Sequence, residues 1–126
     1  MLSVVIQTHN PRYLAQAVGS VLDQTEQDFE IVVVPNNGAS VDGVLSEDNR
    51  IRVVPYTGPS AVGAVKRFAF EAARGDILVE LDHDDLLAPQ ALQRVREALG
   101  GGKADFAYSN FAEVNFESGE SVSYDR

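Results

Sequence analysis

Apolar residues along this chain fall into two alternating kinds of segment. Short β-branched runs, "LSVVIQT" (2–8) and "FEIVVV" (29–34), are apolar at nearly every position, as strands buried on both faces are. Between them, "NPRYLAQAVGSVLDQT" (10–25) predicts a helix, with Asn10 as N-cap and Pro11 at its first position. Leu14, Val18, Val21 and Leu22 share one face of it. "PNNGAS" (35–40) is a turn cluster that stops the second strand. "IRVVP" (51–55) reads as a third strand, and the Ala-rich "GPSAVGAVKRFAFEAARG" (58–75) as a helix closed by Gly75. "DILVEL" (76–81) is a fourth strand, buried like the first two. "APQALQRVREALGGG" (88–102) is a helix with Pro89 at its first position, Leu92, Val95 and Leu99 as core stripe and Gly100 as stop. "ADFAYSNFAEVNF" (104–116) and "ESVSY" (120–124) predict two strands around the turn "ESG" (117–119).

The order β-α-β-β-α-β-α implies an α/β fold, a Rossmann-like and mostly parallel sheet with helices on both faces. In such sheets the ligand crevice lies outside the carboxyl ends of the strands. Those ends here carry "QTHN" (7–10), "PNNG" (35–38) and "DHDD" (82–85). Three polar clusters are therefore expected along one edge.

Bulk numbers narrow the class. At 126 residues and 44% hydrophobic content, one soluble domain spanning 1–126 is expected. The chain has no cysteine, so it has neither a disulfide framework nor a thiolate zinc site, and a reducing compartment is favoured. No apolar run approaches a membrane span, and "MLSVVIQTHN" lacks a basic leader, so the expected location is the cytoplasm. A net charge of −9 argues against a nucleic-acid partner. It does not argue against an anionic small molecule, because a divalent ion locally reverses the field.

"DHDD" is where that ion would sit. Close carboxylates repel, and burying them is costly unless a cation or water lies among them. Asp82 and Asp84 flank one residue at a strand end, so their oxygens can converge and, with phosphate oxygens, suit Mg²⁺ or Mn²⁺. The competing reading has Asp84 or Asp85 capping the next helix, with the rest solvated. His83 reads as a spacer, and His9 either lines the crevice or closes the first turn.

With these residues in place, the chain resembles the family 2 glycosyltransferases, which have the GT-A nucleotide-diphospho-sugar fold. The resemblance rests on the opening strand, helix and strand (2–34), with its Thr8-His9-Asn10 turn and the helix end Ser20 to Thr25. It also rests on "VKRFAFEAARGDILVELDHDD" (65–85), leading into a D-x-D signature, and on "AYSNF" (107–111). It implies a nucleotide-diphospho-sugar donor and a divalent cation, Mn²⁺ or Mg²⁺. Asp84 would be the principal metal ligand, and Asp82 would lie near the ribose or a metal-bound water. Gln7, Thr8 and Asn10 would border base and ribose. Lys66, with Arg67 beside it, falls where relatives carry a basic residue near the nucleotide; both read equally as helix surface charge.

Two departures follow. Pro35 and Asn36 stand where relatives carry an acidic pair, leaving Asn36 to read the base; "PNNG" is also simply a turn. The family's acceptor-binding half and its catalytic base are not recognisable, and Asp105, Glu113, Glu117 and Glu120 do not fit that role. The expectation is a donor-binding portion acting with an unknown glycan, lipid or protein acceptor, able to form a homodimer through edges such as "FAEVNF" and to lie peripheral to a membrane. A non-catalytic nucleotide-binding or assembly module is the rival reading. A sugar-phosphate nucleotidyltransferase is weaker, since "QTHNPRYL" has no glycine-rich basic loop. A phosphohydrolase lacks a second ligand cluster.

Overall fold

The structure is a computed structural model that describes residues 1–58, 62–99, 111–114 and 121–124. Its elements are β1 (Leu2–Thr8), a 3-10 turn (Pro11–Tyr13), α1 (Leu14–Leu22), β2 (Phe29–Pro35), β3 (Ile51–Val53), α2 (Val62–Ala72), β4 (Ile77–Glu80), α3 (Ala91–Leu99), β5 (Phe111–Val114) and β6 (Ser121–Tyr124). The first four strands form one sheet in the order β3-β2-β1-β4, parallel at every pairing. β5 and β6 pair antiparallel in a sheet of their own. The predicted stop at Gly100, the turn at 117–119 and the strand residues 104–110 lie outside the described residues.

The near-continuous apolar runs are explained by the two faces of the sheet. Leu2, Val4 and Ile6 of β1 and Phe29, Ile31 and Val33 of β2 pack with Leu14, Ala17, Val18 and Val21 of α1 and Leu92 of α3. The alternate residues Val5, Val32 and Val34 pack under Val65 and Ala69 of α2. Each of the Val, Leu, Ile and Phe side chains contributes about 1.5–3 kcal/mol by leaving water, so strands apolar on both sides are what the sandwich needs.

β4 departs from expectation. It is not buried on both faces: its residues alternate between half-buried and exposed, and Leu78 is 44% exposed. Among the described strands it has a neighbour on one side only, β1. Helix bounds also moved. Asn10 does cap, accepting from the Arg12 N–H at 3.1 Å, but it opens the 3-10 turn and not the α-helix itself. α1 stops at Leu22 because Gln24 is used elsewhere: its amide donates to the Ser20 and Ala88 carbonyls at 3.0 and 2.6 Å and accepts from Leu92 N–H at 2.9 Å. That last bond satisfies one of the open N–H groups at the start of α3 from across the core. Pro89 lies in the turn before α3, not inside it. Among the described residues no helix is long and apolar enough to cross a membrane.

Gly75 is not a helix stop, since α2 already ends at Ala72, whose carbonyl accepts from Arg52 Nη2 at 2.6 Å. Gly75 is required by close approach. A Cβ there would lie 2.5 Å from the Met1 carbonyl oxygen and 2.6 Å from Ser3 Oγ. Gly75→Ala is therefore expected to destabilise the fold by about 1–3 kcal/mol, read as a lower urea midpoint at unchanged slope.

Candidate functional site

The carboxyl ends of β1, β2 and β4 open onto a cleft of about 380 Å³. Its walls are Gln7 and His9 after β1, Asn36 and Asn37 after β2, and Asp82, His83 and Asp84 after β4, with Val65 of α2 as an apolar side. The three polar clusters do converge on one edge, as the parallel topology requires.

Each wall has a local cause. At the β2 end, Asn37 and Gly38 take left-handed conformations with φ of 56° and 79°, which Asn and Gly tolerate best. The reversal is pinned by Asn36 N–H donating to the Thr8 carbonyl at 2.9 Å and Ala39 N–H to the Asn36 carbonyl at 3.0 Å. At the β4 end, Asp85 N–H closes a turn onto the Asp82 carbonyl at 3.1 Å. That turn brings carboxylate oxygens of Asp82, Asp84 and Asp85 within 4.8 Å of one another, all three residues exposed.

The acids feel one another. Desolvation raises the Asp85 carboxyl above its usual range, and the charges of Asp82 and Asp84 push it further. Three hard oxygen donors with accumulated negative charge fit a divalent cation of the Mg²⁺ or Mn²⁺ type. Neither Asp84 nor Asp85 caps α3, which begins only at Ala91.

The other predicted residues stand partly in the cleft wall and partly around it. Thr8 is 1% exposed and stands behind the cleft wall, not in it. Asn10 uses its side chain on Arg12 and does not line the cleft. Gln7 lines it, and its Oε1 is shielded with no hydrogen-bond partner among the described residues. Lys66 Nζ is paired with Glu80 at 2.8 Å, off the cleft wall. Glu80 holds the ammonium above its ordinary range, and Asp82 adds a weaker pull. Arg67 pairs with Glu71 one helical turn away at 3.1 Å, on an exposed face.

His83 is not a spacer. Its Nδ1 lies 2.8 Å from Thr8 Oγ1, and its ring packs on His9 with centroids 4.9 Å apart. Nothing in the local sequence signals this contact, because its partners are 75 residues apart.

Comparison with known proteins agrees with this geometry. The chain is 25% identical over 130 residues to Glycosyltransferase GlyG of Streptococcus pneumoniae, covering 98% of this chain and 43% of that protein. It is 36% identical over 102 residues to an uncharacterized glycosyltransferase, alr2836, of Nostoc sp., covering 76% and 32%. The chain thus spans less than half the length of these relatives. Among solved structures, S. aureus TarS 1–349 in complex with UDP-GlcNAc superposes with a TM-score of 0.65 at 20% identity, over 79% of this chain and 31% of that one. That likeness establishes a shared fold of the GT-A kind. Residues 3–126 match the sequence family Glycosyl transferase family 2, and the chain belongs to that family.

Proposed function

We propose that residues 1–126 form the donor-binding portion of a glycosyltransferase, a single unit that binds a nucleotide-diphospho-sugar and presents its sugar to an acceptor hydroxyl of a glycan, lipid or protein. The carrying observation is the convergence of "DHDD", "QTHN" and "PNNG" on one cleft at the strand ends. The UDP-GlcNAc bound by the TarS neighbour supports a nucleotide sugar as the ligand class.

Asp84 and Asp82 would hold the divalent cation, Mn²⁺ or Mg²⁺, with Asp85 close enough to join them. Such an ion supplies Lewis-acid stabilisation of a diphosphate as it leaves. The chain's own groups bind and orient. Gln7 and Asn36 offer amide donors and acceptors to a base edge, while Val65 offers an apolar face. Lys66 reaches a diphosphate only by giving up Glu80. A homodimer and a cytoplasmic location beside a membrane complete the reading.

The test is calorimetric titration of the chain with UDP, GDP and dTDP, each with and without Mn²⁺. One nucleotide binding only with metal is expected; no binding, or binding indifferent to metal, overturns the donor-site reading. Metal-dependent binding without sugar transfer, even in the full-length protein with acceptor, would favour a non-catalytic nucleotide-binding module. That second reading is favoured by neutral Asn36 standing where the resemblance expects an acid. Asn36→Ala should weaken nucleotide binding by roughly tenfold, the worth of a buried hydrogen bond, while leaving Mn²⁺ binding alone unchanged.

A further inference from the structure

Thr8 joins the two opposing walls of the cleft from behind. Its carbonyl accepts from Asn36 N–H at 2.9 Å, which fixes the β2 turn, and its hydroxyl meets His83 Nδ1 at 2.8 Å, which fixes the acidic turn. The acidic turn needs such a tether. It leaves the sheet after Leu81, whose N–H donates to the Val5 carbonyl at 3.0 Å, and is next anchored where Leu87 N–H donates to Ser20 Oγ at 3.0 Å. Between those points three exposed carboxylates repel one another. Among the described residues, the Thr8–His83 contact is the hydrogen bond that ties this stretch to the sheet.

The direction of the bond follows from the hydroxyl's situation. Thr8 is 1% exposed, and its side chain has no other hydrogen-bond partner among the described residues. A buried hydroxyl proton with nowhere else to go is costly, so it is donated to Nδ1. With Nδ1 accepting, the ring's N–H lies on Nε2, and the ring also packs on His9, with centroids 4.9 Å apart.

Resting on the donor-site reading, we propose that Thr8 and His83 are positioning residues: their hydrogen bond latches the acidic turn so that Asp82 and Asp84 face the cleft together. Thr8 acts through His83 and not by touching the ligand. The residue between the two metal-binding acids thereby becomes part of what sets donor affinity.

The experiment compares the full chain with Thr8→Val, Thr8→Ser, His83→Ala and the Thr8→Val/His83→Ala double variant. Three readouts are taken: ¹⁵N shifts of the His83 ring in alkaline buffer, amide exchange at Asp85, and titration with UDP and Mn²⁺. The unaltered chain should show a bare Nδ1 and a protonated Nε2. Thr8→Val should lose the Nδ1 hydrogen-bond signature, speed Asp85 exchange at least about tenfold and weaken Mn²⁺-dependent UDP binding about tenfold, as perturbing groups behind metal ligands commonly does. Thr8→Ser, which keeps the hydroxyl, should restore affinity to within about threefold, a rescue that simple loss of packing would not allow. The double variant should bind no worse than His83→Ala, because both changes remove one interaction.

An Nδ1 with no hydrogen-bond signature in the unaltered chain, or unchanged Asp85 exchange and affinity in Thr8→Val, overturns the latch; should Thr8→Val fail to fold, unchanged Asp85 exchange in His83→Ala does the same. If the unaltered chain binds no nucleotide, the donor-site reading fails instead, and Asp85 exchange still decides the latch.

Discussion

Asp84→Asn is expected to abolish metal-dependent nucleotide binding while leaving the fold intact. The change keeps the side chain's shape but replaces a charged hard-oxygen ligand by a neutral amide, at a turn whose three carboxylates lie within 4.8 Å of one another. Perturbing groups that merely stand behind metal ligands costs about 10–100-fold, so losing a direct ligand should cost Mn²⁺-dependent UDP affinity at least about a hundredfold. Stability should move by less than about 0.5 kcal/mol, since Asp84 is exposed and its removal relieves repulsion. The Asp85 carboxyl, raised in part by Asp84, should titrate nearer its ordinary range. Calorimetry with and without Mn²⁺ reads the first effect and carboxyl NMR the last. Full retention of metal-dependent binding would move the cation away from this turn.

Glu30→Ala should produce the largest loss of stability. Glu30 is 6% exposed and stands at the end of the sheet opposite the cleft. Its carboxylate accepts from Ser3 Oγ at 2.5 Å, Arg74 N–H at 2.6 Å and Arg52 Nη2 at 3.0 Å. Removing it takes the acceptor from the Ser3 hydroxyl and the Arg74 N–H and leaves half-buried Arg52 with the Ala72 carbonyl, for which about 1–3 kcal/mol per stranded group is typical, a large part of a usual stability of about 5–15 kcal/mol. The same group makes stability pH-dependent. Burial pushes the Glu30 carboxyl up, but Ser3, Arg74 and Arg52 together outweigh it, so its folded pKa lies below the ordinary carboxylate value. The stabilisation is thus complete above the ordinary carboxylate range and is lost as pH falls through the depressed value. Urea midpoints at neutral and acidic pH should converge for Glu30→Gln more than for the unaltered chain.

How much of this could be read from the residues depends on the range of the interaction. β1, β2 and the faces of α1 were legible, because burial on both sides leaves an unbroken β-branched run and one-sided packing leaves a helical stripe. The cleft was legible from parallel topology, which places Gln7, Asn36, Asp82 and Asp84 at one edge. What escaped was set by contacts between distant segments. Gly75 looks like a helix stop until Met1 and Ser3 are seen against it. Gln24 looks like helix until its amide is seen bridging to Ala88 and Leu92. Lys66, read either as near the nucleotide or as surface charge, is paired with Glu80, while Thr8, expected to border base and ribose, is buried behind the cleft wall.

The central position of β1 bears on how the protein is made. β1 pairs on one side with β2, its neighbour across a single helical crossover, and on the other with β4, which emerges from the ribosome much later. The β1–α1–β2 unit can close early, while the second edge of β1, apolar and unpaired, waits for β4. The acidic turn follows β4, so the candidate site is completed late in folding. Substitutions that slow the docking of α2 and β4, Gly75→Ala among them, should therefore reveal themselves first as inclusion bodies and poor refolding yield. The molecules that do fold would bind with normal affinity, and a soluble-fraction assay would detect damage that a binding assay on purified protein misses.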